Sequence, residues 1–219
     1  QGHDFPVKIS ADRDGATGHE VWRTDGTAAN TSRVVDLANG ATSSAPRTLT
    51  DLNGNLLFSA YFGGQPRQWW ISDGTAGGTT RVSPVTVIGD GPRSVFVHNG
   101  KAIFPGLGTG TEPWVTDGTP QGTLQLADIY AGVGYSAPTG FTLFANEVWF
   151  TARSSSYGYE LWHTDMTPAG TAVVDVIPGP LGLSPTGMVD VAGMLWFAGT
   201  TTNEGTELWR SDGTVAGTS

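Results

Sequence analysis

The sequence predicts an all-β chain of the β-propeller class: about five four-stranded antiparallel blades of roughly 47 residues, the first and last units incomplete. Three observations predict it. A Glu-x-Trp phrase followed by Asp-Gly-Thr recurs at near-constant spacing. A hairpin signal recurs ahead of each phrase after the first. The 32 glycines, 13 prolines and 8 tryptophans among 219 residues favour short strands and many turns over long helices.

The phrase occurs as Glu20-Val21-Trp22, Gln68-Trp69-Trp70, Glu112-Pro113-Trp114, Glu160-Leu161-Trp162 and Glu207-Leu208-Trp209. Three residues after each tryptophan stands Asp25, Asp73, Asp117, Asp165 or Asp212, at successive spacings of 48, 44, 48 and 47 residues. The hairpins are "LTDLNGNLLF", "VFVHNGKAIF", "FTLFANEVWF" and "MVDVAGMLWF". Asn53-Gly54 and Asn99-Gly100 suit a type I′ turn, in which both central residues need positive φ; Ala145-Asn146 and Ala192-Gly193 are weaker versions. Repeat 2 then reads as strands near 48–52, 56–61, 68–72 and 79–85. A single domain over 1–219 is expected, with units at about 1–38, 39–86, 87–130, 131–178 and 179–219.

A strand has a side-chain period of two, so Glu20 and Trp22 share one face and Val21 and Arg23 the other. The repeated tryptophans Trp22, Trp70, Trp114, Trp162 and Trp209 read first as packing between blades, with a ring of sugar platforms as the alternative. The aspartates read first as turn residues bonding their own backbone, with cation ligands as the alternative; each turn offers a single acid, whereas calcium takes six or more oxygens. Met166 replaces the turn glycine, which predicts a different turn type in that unit. Asp36, Asp128 and Asp175 read as strand-ending caps facing water. The loop 12–20 (DRDGATGHE) opens like a calcium loop but lacks the later ligands, so no metal and no cofactor are expected.

Catalysis finds no motif: there is no Gly-x-Ser-x-Gly elbow, His-Glu-x-x-His pair or phosphate loop, and His3, His19, His98 and His163 fall at different repeat positions. The net charge of −9 argues against a nucleic-acid partner. No stretch approaches the ~20 apolar residues of a membrane span. Loops between the second and third strands carry Tyr61, Phe62, Tyr157 and Tyr159, candidates for contact with a protein or a cell-surface glycan.

The stretches "ELWHTDMTPAGT" (160–171) and "ELWRSDGTVAGT" (207–218) resemble the ELWxxDGT repeat of bacterial secreted and surface proteins. Gln68, Trp69, Pro113 and Met166 depart from it. The resemblance implies export and a propeller-like architecture, and it transfers no active site. An exported chain would be expected here in its mature form. The expected function is a non-catalytic extracellular structural, adhesive or binding module. A multivalent lectin is the second reading, and a hydrolase or lyase with an axial site the third. The units as read leave the chain about two strands short of five full blades. That is expected to mean a piece of a longer protein, self-assembly through open strand edges, or a ring with a gap.

Overall fold

The computed structural model describes residues 18–87 and 94–219. Among these there is no helix, and the strands form several antiparallel sheets. Repeat 1 contributes β1 (Val21–Arg23) and β2 (Ser32–Val35). Repeat 2 contributes β3 (Arg47–Leu52), β4 (Asn55–Phe62), β5 (Gln65–Ser72) and β6 (Thr80–Val87). Repeat 3 contributes β7 (Phe96–His98), β8 (Lys101–Leu107), β9 (Thr111–Thr116) and β10 (Leu124–Gln125). Repeat 4 contributes β11 (Thr139–Phe144), β12 (Glu147–Ser154), β13 (Gly158–Thr164) and β14 (Ala172–Val174); repeat 5 contributes β15 (Thr186–Val191), β16 (Met194–Thr201) and β17 (Gly205–Ser211). The strand expected from Val7 and most of the 12–20 loop lie outside the described residues.

Two compact units carry these strands. One holds the described residues up to Val87 together with Thr116–Thr123; the other holds Ser94–Val115 with Leu124–Ser219. Within each repeat the strands pair in chain order. The hairpins follow from turn chemistry. Asn53, Gly54, Asn99, Gly100, Ala145, Asn146, Ala192 and Gly193 all hold φ between 47° and 78°. Two successive left-handed residues give a type I′ turn, whose twist matches that of the strands.

The two faces of a sheet pack on different neighbours. Phe150 and Trp162 meet Ile103 and Val115 of repeat 3, whereas Trp149 and Leu161 meet Leu195 and Phe197 of repeat 5. In the other unit Val21 and Val34 meet Phe58 and Trp70 of repeat 2. Phe58, Phe104, Phe150 and Phe197 recur at one position and are all buried. Each contributes on the order of 2–3 kcal/mol by leaving water.

The turn after the tryptophan strand is a closed hydrogen-bond unit. Asp73 Oδ1 accepts from Thr75 N at 2.8 Å and from Thr75 Oγ1 at 2.7 Å, and Thr75 Oγ1 accepts from Gly78 N at 2.9 Å. Asp117, Asp165 and Asp212 repeat this set. Asp25 makes the same bonds to Thr27, and Asn30 stands where the other repeats carry glycine, donating to Asp25 Oδ2 at 2.5 Å. These bonds, the threonine hydroxyl first and its amide second, hold Asp25, Asp73 and Asp212 below the usual carboxylate range. A hydroxyl pair closes every turn base: Thr24–Thr31, Ser72–Thr79, Thr116–Thr123, Thr164–Thr171 and Ser211–Thr218.

Two expectations change. Met166 does not alter the turn. It holds φ 69° where Gly26, Gly118 and Gly213 hold 94–99°, and Asp165 makes the standard bonds. Its side chain is 2 % exposed and packs with Phe150 and Ile103, so burial outweighs left-handed strain of about 1 kcal/mol. Asp36 and Asp175 do not simply face water: both are half-buried, and Asp36 Oδ2 accepts from Arg33 at 3.2 Å and from Gly40 N at 3.3 Å.

Met166→Gly should therefore lower stability by about 2 kcal/mol in urea unfolding, the lost burial exceeding the relieved strain. An unchanged or higher midpoint would reverse that balance.

Candidate functional site

In an antiparallel meander, the hairpin joining the second and third strands and the loop leaving the fourth strand lie at the same end of the sheet. A buried glutamate fixes that loop. Glu20 accepts from Leu37 N at 3.2 Å, Ser44 N at 2.9 Å and Ser44 Oγ at 2.5 Å. Glu112 accepts from Ile129 N at 2.9 Å. Glu160 accepts from Val176 N at 3.4 Å, Ile177 N at 3.3 Å and Leu183 N at 2.9 Å. All three side chains are fully buried, and the loop amides supply partners to Glu20, to Glu160 and to Oε2 of Glu112. Gln68 holds the position in repeat 2, and Glu207 of repeat 5 is exposed.

The loop is also bonded on both edges. Backward, Ala45 N, Ser136 N and Ser184 N donate to His19 O, Thr111 O and Tyr159 O at 3.1, 2.9 and 2.8 Å. Forward, it accepts from the next repeat: Tyr61 N to Ser44 O at 2.8 Å, Arg153 N to Ser136 O at 2.9 Å, and Thr200 N to Leu183 O at 2.7 Å. This close approach requires glycine two residues before the glutamate; a Cβ on Gly158 would stand 2.6 Å from Pro180 O.

Burial is the leading cause that lifts the Glu160 carboxyl to about 7, opposed by the amides of Ile177, Val176 and Leu183. Burial also raises Glu112, against its bonds from Ser136, Ile129 and Tyr130.

At this end of repeat 2 lies an open groove of about 480 Å³, lined by Ala38, Thr42 and Ser43 of the glutamate-held loop and by Tyr61–Pro66 of the hairpin. Tyr61 is 44 % and Phe62 41 % exposed. Arg67 stacks on the Tyr61 ring at 4.3 Å and donates to Ala45 O and Ser59 O at 2.6 and 2.9 Å, so the ring has a fixed backing. Phe62 leans on Trp70 at 5.4 Å between centroids. The pair sets half-exposed aromatic surface beside the hydroxyls of Thr42 and Ser43.

Repeat 4 holds the same pair reversed. Arg153 stands where repeat 2 has Tyr61, and Tyr159 where it has Arg67; the Arg153 guanidinium lies 5.0 Å from Tyr130 and 5.9 Å from Tyr159. Repeat 5 places Thr200 and Thr206 there, their hydroxyls 2.8 Å apart. Of the four loop aromatics, Tyr61 and Phe62 line the groove, Tyr159 joins the Arg153 cluster, and Tyr157 packs against the core. Trp70, Trp162 and Trp209 pack against apolar clusters, while Trp22 and Trp114 are half-buried. Sequence reasoning missed the glutamates' role and both arginines. The signals available were Gly-x-Glu at 18–20, 110–112, 158–160 and 205–207 and the serines Ser44, Ser136 and Ser184.

His163 Nδ1 lies 2.7 Å from Glu147 Oε2 and its ring stacks on Trp149 at 5.0 Å. Among the described residues no group of three His, Asp or Glu side chains is placed to hold a metal, and no helix is long and apolar enough to cross a membrane.

No protein-family model matches the chain, and comparison with curated proteins finds no relative. Among solved structures it is similar to TolB from Acinetobacter baumannii, at TM-score 0.45 and 17% identity over 89% of this chain and 46% of that one. It is similar to a puromycin hydrolase mutant, at TM-score 0.47 and 14% identity over 90% of this chain and 32% of that one. It is also similar to an alpha-L-arabinofuranosidase from Clostridium thermocellum, at TM-score 0.33 and 16% identity over 94% of this chain and 85% of that one. The chain spans less than half the length of the first two.

The Glu160 carboxyl gives a pH test with a definite sign. Its folded value, about 7, lies above the ordinary value of 4.5. Its contribution is therefore fully present below the unfolded value and is lost as pH rises to 7 and beyond, a swing of about 3 kcal/mol. The unfolding free energy of Glu160→Gln, measured against the parent, should gain on it by up to that amount between pH 5 and pH 8. A pH-independent difference would contradict the raised value.

Proposed function

We propose that this chain is a β-propeller-type, non-catalytic binding module of the bacterial exterior, of about five blades, that binds through the ends of its sheets where glutamate-held loops meet the hairpins. One observation carries this reading. The backbone there is fixed alike in repeats 1–2, 3–4 and 4–5 by Tyr61 N, Arg153 N and Thr200 N, whereas the side chains at those positions differ. A constant frame with changing side chains is the pattern of a contact surface. The buried glutamates, the strongest candidates for a general acid, direct their oxygens at loop amides, which favours binding over hydrolysis or lysis. The resemblance to the ELWxxDGT repeat supports export.

The partner class is a protein or a cell-surface glycan. Tyr61 and Phe62 beside Thr42 and Ser43 favour the glycan, since an apolar ring and flanking hydroxyls match the two kinds of surface a sugar offers. A set of identical sugar sites around the chain is disfavoured, because Arg153 and Thr200 replace Tyr61 in repeats 4 and 5. An array of bacterial and host glycans, and of surface and matrix proteins, should yield a ligand whose affinity falls about ten-fold or more with Tyr61→Ala. The substitution should cost under about 1 kcal/mol of stability, because it removes an exposed cation–π contact. A ligand bound equally well by Tyr61→Ala and Arg153→Ala chains would refute the placement.

A further inference from the structure

Repeats 2 and 4 carry one arginine and one tyrosine at the same place, but they expose opposite members of the pair. In repeat 2 the guanidinium is hidden. Arg67 is 6 % exposed, its Nη1 donates to Ala45 O and Ser59 O, and the Tyr61 ring above it is 44 % exposed. In repeat 4 the order is inverted. Arg153 lies directly opposite Tyr159 in the strand register; the arginine is exposed and the tyrosine half-buried. Repeat 2 thus offers a ring backed by a cation, and repeat 4 a cation backed by rings.

The exposed cation is held in place but not neutralised. Its guanidinium lies 5.0 Å from the Tyr130 ring and 5.9 Å from the Tyr159 ring, within the range of a cation–π contact. Such rings attract the charge without cancelling it. Among the described residues no carboxylate pairs with Arg153. The two acids bonded to the Tyr130 loop are turned to its amides: Glu112 to Ile129 and Tyr130, Asp128 to Gly132. The chain carries a net charge of −9, so attraction for an anion is local to this cluster. The backbone beneath all three side chains is also fixed. Arg153 N donates to Ser136 O at 2.9 Å, Tyr159 O accepts from Ser184 N at 2.8 Å, and Tyr130 N donates to the buried Glu112 at 3.5 Å. A site whose parts are already placed loses less entropy when it binds. Tyr130, Arg153 and Tyr159 all belong to one compact unit.

We infer that Arg153, Tyr130 and Tyr159 form a binding site for a carboxylated sugar, a uronate or sialate residue of a glycan. The guanidinium fork takes the carboxylate as a bidentate pair. The tyrosine rings take the apolar face of the pyranose. Ser155 and Ser156, exposed on the same hairpin, supply hydroxyls to those of the sugar. The inference rests on the glycan reading above and divides it by charge: the groove at Tyr61 takes an uncharged sugar, and the Arg153 site an acidic one.

Titration calorimetry of the 219-residue chain with two acidic probes, tetragalacturonate and sialyllactose, tests it, each against an uncharged counterpart, the galacturonate methyl ester and lactose. At least one acid should bind, and its counterpart about ten-fold or more weakly, since the counterpart lacks the carboxylate. Arg153→Gln should weaken that acid by about the same factor, and Arg153→Lys by less, because lysine keeps the charge and loses the fork. Added salt should weaken the acid and not its counterpart. Arg153 is exposed, so both variants should keep the parent's unfolding midpoint. The inference is overturned if neither acid binds, if the counterpart binds as well, or if Arg153→Gln leaves the affinity unchanged. Arg153-dependent binding of a poly-glutamate peptide, with both sugar acids failing, would overturn the sugar class. Tyr61→Ala reads the other site. A neutral glycan lost with Tyr61→Ala while both acids fail would refute this inference and leave the groove standing; Arg153-dependent acid binding, with no glycan sensitive to Tyr61→Ala, would do the reverse.

Discussion

The structure depends on a carboxylate removed from water. Glu20, Glu112 and Glu160 are each sealed inside their own sheet and survive there because loop amides 16 to 24 residues downstream point at them. Neither partner is stable alone: an unpaired buried charge costs several kcal/mol, and unpaired buried amides cost more again. The loop has to adopt the one path that satisfies both. That path carries it past the hairpin of the following repeat, where its carbonyl takes the next amide. The spacing between consecutive repeats within each unit thus follows from an electrostatic requirement as much as from apolar contact.

Apolar packing then assigns direction. Alternate residues of a strand meet different neighbours, so Trp149 and Phe150, adjacent in sequence, belong to different cores. The Asp-Gly turn reaches back over the preceding repeat at Gly118 and Gly213, and at Met166 a side chain fills the space instead. One turn geometry thus serves two packing solutions, chosen by what lies beneath it.

The hairpins and the repeat period were legible because positive φ restricts residue choice, and Asn53-Gly54 announces its turn locally. Met166 was misread by the same local logic: its strain is local, but its compensation lies across the sheet boundary in Ile103 and Phe150. The glutamates recur visibly, yet their role was hidden because their partners are backbone amides, which carry no letter in the sequence. Ser44 and Ser136 are the trace they leave. Tyr61 and Phe62 were found as loop aromatics, whereas the Tyr61–Arg67 and Arg153–Tyr159 pairs look like unrelated substitutions until the strands are in register.

The clamp between consecutive repeats takes the main chain of residues 61, 153 and 200 and makes no use of their side chains. Mutation can therefore rewrite those positions without disturbing what holds the repeats in place. Tyrosine, arginine and threonine already occupy them on one chain, as if three drafts of a contact had been kept on one template. On the proposed reading, substitutions at these positions would change what the surface contacts and leave the backbone clamp intact. The same decoupling makes these positions natural points at which to diversify the scaffold deliberately.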